Sequence, residues 1–425
     1  MKCSLRVGLL LLAAAWITTE SNRAQAQPGN PLRRLLRQDA ALAPVLQQAA
    51  AHRVQILYTQ IHRDAQGRPH FRSYRYRVRP HEYFYPASAI KLPTAVLALE
   101  KLRALAASIP DLTPEAPLRI DSAYARQTPV LHDSSSATGR ASLAQYIRKM
   151  LLVSDNDAYN RLYEFVGPAT LNTGLHRHGL RHTVLRHRLS VGDTDSTARH
   201  TNPVALYTDT TLTRPLYVQP AAFFAGKWPR PVHKKLRIGE AYMQGSQRIN
   251  EPLDFSTKNT TSLADLQQVL RAVLFPEAVP ARQRFALAPS DTELLRRYLS
   301  LLPRQSTFPH YDSIAYPDNY AKFLLAGGAA GPLPPGVRIY NKIGQAYGFL
   351  IDNAYIQNRE LGVEFLLSAV VYTNSDGVLN DDQYEYETVG LPFLRRVGEV
   401  VYAYETKRQP SRKAKTPWEW WHFEP

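Results

Sequence analysis

Tyr85-Pro86-Ala87-Ser88-Ala89-Ile90-Lys91-Leu92-Pro93-Thr94-Ala95-Val96-Leu97-Ala98-Leu99 is the stretch on which the reading of this chain turns. Pro86 stands just before an apolar run rich in Ala and Leu, which predicts a helix beginning beside Ser88. Positions three apart share a helix face, so the Ser88 hydroxyl and the Lys91 amine are expected to be neighbours. Serine is a poor nucleophile at its own pKa; a nearby amine that sheds its charge on desolvation can take the hydroxyl proton. A short Ser-x-x-Lys pattern also occurs on solvated helix faces. It gains weight here from two patterns that follow in order, Ser154-Asp155-Asn156 and Lys342-Ile343-Gly344.

Both later patterns fall in settings that suit a site. Ser142-Leu143-Ala144-Gln145 is a capping box that opens a helix through residue 153, and residues 156–166 form the next helix, closed by Gly167. Ser154, Asp155 and Asn156 therefore sit in a tight connection, where such residues also serve as caps. Residues 337–344 alternate as a strand. A lysine at 342 facing inward costs free energy unless it meets an anion. Gly344 lets that strand approach a ligand closely.

Together the three patterns resemble the Ser-x-x-Lys, Ser-Asp-Asn and Lys-Thr-Gly elements of class A β-lactamases and penicillin-binding proteins. The resemblance implies an α/β fold, an α+β sandwich in which an antiparallel sheet carries the N- and C-terminal helices, with an all-helical subdomain beside it and the active site between them. It also implies roles. Ser88 is the nucleophile, Lys91 its base and Ser154 the relay to the leaving nitrogen. Asn156 holds Lys91 and the substrate amide, Lys342 binds the substrate carboxylate, and the Gln345 and Ser88 N–H groups form the oxyanion hole. Asp155 ties down its turn.

Two departures from that pattern bear on substrate and turnover. In class A enzymes a loop glutamate activates the deacylating water; at the family's spacing from Ser154, Arg188 fits the loop arginine and Ser190 takes the glutamate's place. Asp193 or Asp195 substitutes only if the loop runs in another register, because a base must come within one water of the acyl carbonyl. Ile343 replaces the usual Thr or Ser, and a hydroxyl bond lost to a carboxylate is worth about 1.5 to 3 kcal/mol.

The remaining chain sets the context. Lys2 and Arg6, the apolar run from Val7 to Ile17, and Ala24-Gln25-Ala26 make residues 1–26 a signal peptide, cleaved after Ala26; the expected location is periplasmic or secreted. The only cysteine, Cys3, lies in that segment. Residues 27–405 form the serine-hydrolase domain, with an insertion at about 205–257 that is basic and aromatic, readable as a lid, a polymer-binding wall or a plain surface loop. Residues 406–425 are a basic, aromatic tail. A first helix is expected at 35–51, strands at 54–61 and 71–78, a helix at 261–274, and a capping box at Ser290 opening a helix through 302. Strands follow at 348–356 and 363–373, and a closing helix at 384–405.

The formal net charge of +16 favours an anionic contact such as cell-wall polymer. No finger spacing, RNP-type motif or phosphate loop points to nucleic acid. His176, His178, His182, His187 and His200 fit no zinc spacing, so neither metal nor cofactor is expected. The expected function is acyl-enzyme hydrolysis of a β-lactam by a monomeric enzyme. The alternatives are a D-Ala-D-Ala peptidase or esterase with slow deacylation, and a non-hydrolytic penicillin- or cell-wall-binding protein.

Overall fold

In the computed structural model, residues 29–125, 127–328 and 331–408 are described. The expected signal peptide and all but the first residues of the expected tail lie outside them. A five-stranded antiparallel sheet is built from β1 (Gln55–Arg63), β2 (Pro69–Tyr76), β3 (Val337–Ala346), β4 (Phe349–Asn358) and β5 (Val363–Tyr372), in the order β3-β4-β5-β1-β2. Central strands β4 and β5 are buried along their whole length because both faces of the sheet are covered, and polar side chains buried with them, such as Asp352, Asn353 and Ser368, are hydrogen-bonded. The pleat splits β5 between two cores: Phe365, Leu367, Ala369 and Val371 face one way, Leu366, Val370 and Tyr372 the other.

The first face is covered by α1 (Pro31–Gln38) and the closing helix. The expected helix over 35–51 begins earlier, on the Asn30 cap, and breaks at Asp39, whose extended backbone lets its carboxylate take the Arg396 guanidinium at 2.7 Å. A short helical turn, Ala43–Gln47, follows. The closing helix begins with a π-turn at Tyr386–Gly390 and continues to Arg408, three residues beyond the expected end.

The other face carries the helical subdomain. Its centre is α2 (Lys91–Ala106), buried nearly all round, which packs against α3 (Leu143–Leu152), α4 (Asn156–Val166), α5 (Pro168–Arg177) and α6 (Leu263–Leu274). The first ten residues of α2 are buried on every side, and it meets solvent only in its last turns, where Ala104 is exposed. Ser142 caps α3 through the Gln145 N–H at 3.0 Å, and the Gln145 side chain turns to Ser135 rather than back to the cap. The helix expected to open on Ser290 is α7 (Pro289–Ser300); Asp291 accepts the Ala288 N–H at 2.8 Å, so the cap is Ala288, two residues earlier than the Ser290 reading. Among the described residues, no helix is long and apolar enough to cross a membrane.

The segment read as an insertion makes short strand pairs that brace its neighbours. Trp228 Nε1 donates to Asp195 at 2.7 Å, and Arg199 donates to the carbonyls of Phe224 and Gly226. A hairpin, Ala241–Gln244 with Gln247–Ile249, pairs in parallel with Val378–Leu379 beyond β5.

Candidate active site

Ser88 sits in a 3-10 turn, Ala87–Ile90, that leads into α2. Ala87, at φ 45°, adopts the left-handed region. Edge strand β3 lies against this turn, and Gly344 makes the approach possible: a Cβ there would stand 2.5 Å from the Pro86 carbonyl oxygen and 3.3 Å from the Ser88 nitrogen. The glycine is thus required by the turn bearing the serine, where the sequence reading had it making room for a ligand.

Lys91 is fully buried. Its Nζ donates to the Ser154 carbonyl, to Asn156 Oδ1 at 2.7 Å and to Ser154 Oγ at 3.2 Å. Ser88 and Lys91 are one turn apart as their spacing predicts, yet among the described contacts no hydrogen bond joins them. Ser154, at φ 60°, turns both its carbonyl and its hydroxyl to the lysine. Asp155 caps α4 through the Ala158 N–H at 2.8 Å.

Lys342, 2% exposed, reaches the same hydroxyl from the other side: Nζ to Ser154 Oγ is 2.8 Å, and it also donates to the Ile343 carbonyl at 2.9 Å. Burial drives both amines down. Lys91 falls well below the ordinary lysine value through desolvation and then repulsion from Lys342. Lys342 drops to about 7 through desolvation, with Asp352 opposing the fall and Lys322 adding to it. A neutral Lys91 has two N–H bonds for the Ser154 carbonyl and Asn156 Oδ1, and its lone pair is left for a hydroxyl proton. Such an amine is a base.

Behind β3 lies a support the sequence did not reveal. Buried Lys322 donates to the carbonyls of Leu299 and Ile339 and to Asn341 Oδ1 at 2.6 Å; Asn341 Nδ2 donates to Asp352, which also accepts the Phe323 and Leu324 N–H groups. Ile343 points to that same side, into the core beneath the terminal helices. The expected loss of a cleft-facing hydroxyl therefore does not follow: the pleat turns Lys342 to Ser154, sets Gly344 against the Ser88 turn and gives Ile343 to the core.

The loop beyond α5 places Ser190 at the cavity, at φ 58°, with its Oγ accepting Asn156 Nδ2 at 2.8 Å. Neither alternative base is free. Asp193 takes the Arg188 guanidinium at 2.6 and 3.0 Å, as well as the Arg188 N–H and the Thr197 hydroxyl. Asp195 takes Trp228 and Arg199. Arg188 also holds buried Glu164 at 2.6 Å, so this charge cluster fixes the loop from within. The histidines scatter: His178 bonds Glu100, His182 pairs with Asp265, His187 bonds the Arg188 carbonyl and His200 stacks on Tyr124. Among the described residues, no group of three His, Cys, Asp or Glu could hold a metal ion.

Ser88, Asn156, Ser190 and Gln345 line one cavity of about 420 Å³, whose far wall is Tyr347, Asn380, Asp382, Tyr384 and Tyr386. No residue of the 205–257 segment is among its described lining. Tyr347, Asn380 and Asp382 join Ala87 and Ser190 in the left-handed region, and such backbone gathers where a site is over-determined by its surroundings. The far wall carries no sequence motif, and long-range contacts bring it here, among them the pairing of residues 378–379 with a distant hairpin and the bond from the Gly348 N–H to the Tyr386 hydroxyl.

The family model of the beta-lactamase enzyme family matches residues 38–404. Similar solved structures include beta-lactamases from Desulfarculus baarsii (18% identity, 85% of this chain and 97% of that one, TM-score 0.43), Xanthomonas campestris (16%, 88% and 96%, 0.46) and Sphaerobacter thermophilus (15%, 88% and 97%, 0.46). Comparison with curated proteins gives no match.

Proposed function

We propose a reaction from one premise: this chain belongs to the beta-lactamase enzyme family. It is an exported, monomeric serine hydrolase of class A type that opens β-lactams through an acyl-enzyme on Ser88. The observation that carries the reading is the convergence of two buried lysines on one hydroxyl, at 3.2 Å from Lys91 and 2.8 Å from Lys342 to Ser154 Oγ.

Ser88 Oγ attacks the lactam carbonyl and its proton passes to neutral Lys91. The oxyanion that forms is held by the N–H groups of Ser88 and Gln345, next to the unpaired edge of β3. Lys342 donates to Ser154 Oγ, which leaves the Ser154 proton free to move to the departing nitrogen while Lys91 replenishes it. The third Lys342 N–H takes the substrate carboxylate. The C–N bond breaks, and the acyl group stays on Ser88.

Deacylation is the slow half. Ser190 bonds to Asn156, and a hydroxyl is no base for water at neutral pH. That contact also favours a second reading, a D-Ala-D-Ala peptidase or esterase in which the acyl group is long-lived. The basic surface suits anionic cell-wall polymer as surroundings.

Intact-protein mass measured over time with a chromogenic β-lactam tests this, with Ser88→Ala alongside. The expected result is an adduct on the native chain that forms quickly and decays slowly, and none on the variant. An adduct that persists without product moves the assignment to a penicillin-binding acyl enzyme. No adduct, or one that survives Ser88→Ala, overturns the mechanism.

A further inference from the structure

The wall facing Ser88 across the cavity has a chemistry of its own. Asp382 is the one charged side chain among the described residues lining it; it is exposed, and no described residue pairs with it. On either side stand Asn380, Tyr384 and Tyr386, the two rings 5.2 Å apart. Each phenol oxygen accepts a backbone N–H, Tyr384 from Asn380 and Tyr386 from Gly348, both at 2.8 Å, which fixes the two rings and leaves a second lone pair on each oxygen to accept from a ligand's N–H. Burial raises both phenols above the ordinary tyrosine value, so both are neutral at neutral pH and Asp382 supplies the wall's charge.

The wall is held in place. Asn380 Nδ2 donates to the Met243 carbonyl of the inserted hairpin, Glu385 takes the Ser375 N–H and hydroxyl, and the Val378–Leu379 pairing ties the segment down. Its position along β3 gives it a direction. Lys342, Gly344 at the Ser88 turn, and Gly348 at Tyr386 follow one another along the strand and its turn, with about 3.3 Å per residue. The leaving side of the scissile bond lies toward Ser154 and Lys342, so the acyl side chain extends the other way, to Asp382.

Resting on the acyl-enzyme reading above, we propose that Asp382, Tyr384 and Tyr386 form a subsite for a protonated primary amine on the acyl side chain of the substrate. Its carboxylate end meets Lys342 and its amine end meets Asp382, with the aromatic faces stabilising the cation. The substrate class is therefore zwitterionic.

Equilibrium binding to Ser88→Ala by calorimetry tests the subsite without any chemistry. The probes are two matched pairs of penicillins, α-aminophenylacetyl against phenylacetyl and 6-aminohexanoyl against hexanoyl. The expected result is about fivefold to tenfold tighter binding of the amino form in at least one pair, reduced by raised salt and abolished by adding Asp382→Asn. Affinity for the neutral partner should stay the same, which shows that the variant is folded. Equal binding within both pairs, an equal loss for both members in Asp382→Asn, or no binding at all overturns the proposal. Mass adducts on the native serine are scored in parallel: amine preference without acylation sinks the hydrolase reading and leaves the subsite standing.

Discussion

Replacing Lys342 by methionine separates what this residue does for function from what it costs the fold. The amine drops from 10.5 in the unfolded chain to about 7 in the folded one, a difference of about 5 kcal/mol carried by burial. Between those values the unfolded chain binds a proton that the folded chain does not, so unfolding takes up a proton and rising pH opposes it. This lysine should therefore make the native chain roughly 4 kcal/mol more stable at pH 10 than at pH 7, while Lys342→Met lacks that rise. Chemical denaturation of both proteins at the two pH values reads the effect as a difference of differences, in which methionine packing cancels. The variant should be the more stable at pH 7, and its advantage should shrink by most of that amount at pH 10. Acylation by a carboxylate-bearing lactam should fall by about one to two decades, the worth of a hydrogen bond between charged groups. A stability difference that does not change with pH would refute the reasoning.

The other predictions follow from contacts already described. Gly344→Ala puts a methyl group 2.5 Å from the Pro86 carbonyl; it should destabilise the chain by about 1 to 3 kcal/mol and slow Ser88 acylation at least tenfold in a stopped-flow assay. Ser190→Glu sets a carboxylate beside Asn156 and should shorten the adduct lifetime by about two decades, read from the decay of the acyl-enzyme mass. Acylation should need Lys91 neutral and Lys342 charged, so its pH profile should rise as Lys91 loses its proton and fall above about 7 in the free enzyme. Arg188→Ala leaves Glu164 and Asp193 buried without their cation and should cost about 3 to 5 kcal/mol, measured by denaturation.

How much of this was legible in the sequence depended on how local the determinant was. The connection at residues 154–156 reads off two helix caps, and the structure begins α4 at Asn156, where the sequence reading began it. Ser190 was reached by counting along the chain, and it lies within bonding distance of Asn156. The orientation of Ile343 was available too, because a strand that gives residue 342 to the cleft gives 343 to the opposite side. The break at Asp39 was not, since it depends on an arginine 357 positions away. Nor was the Asp382 wall: residues 374–385 have no periodicity, and their placement rests on long-range pairing.

That pairing has a consequence for anyone wishing to change what the cavity accepts. The strand Val378–Leu379 and the hairpin at Ala241–Gln244 are stitched into one small sheet, although more than 130 residues separate them. Neither piece is modular alone. Grafting only the wall onto a related scaffold would leave it without its buttress, and trimming the hairpin would let the wall drift. The two must be transplanted as a unit, and a chain that lengthens one has reason to adjust the other.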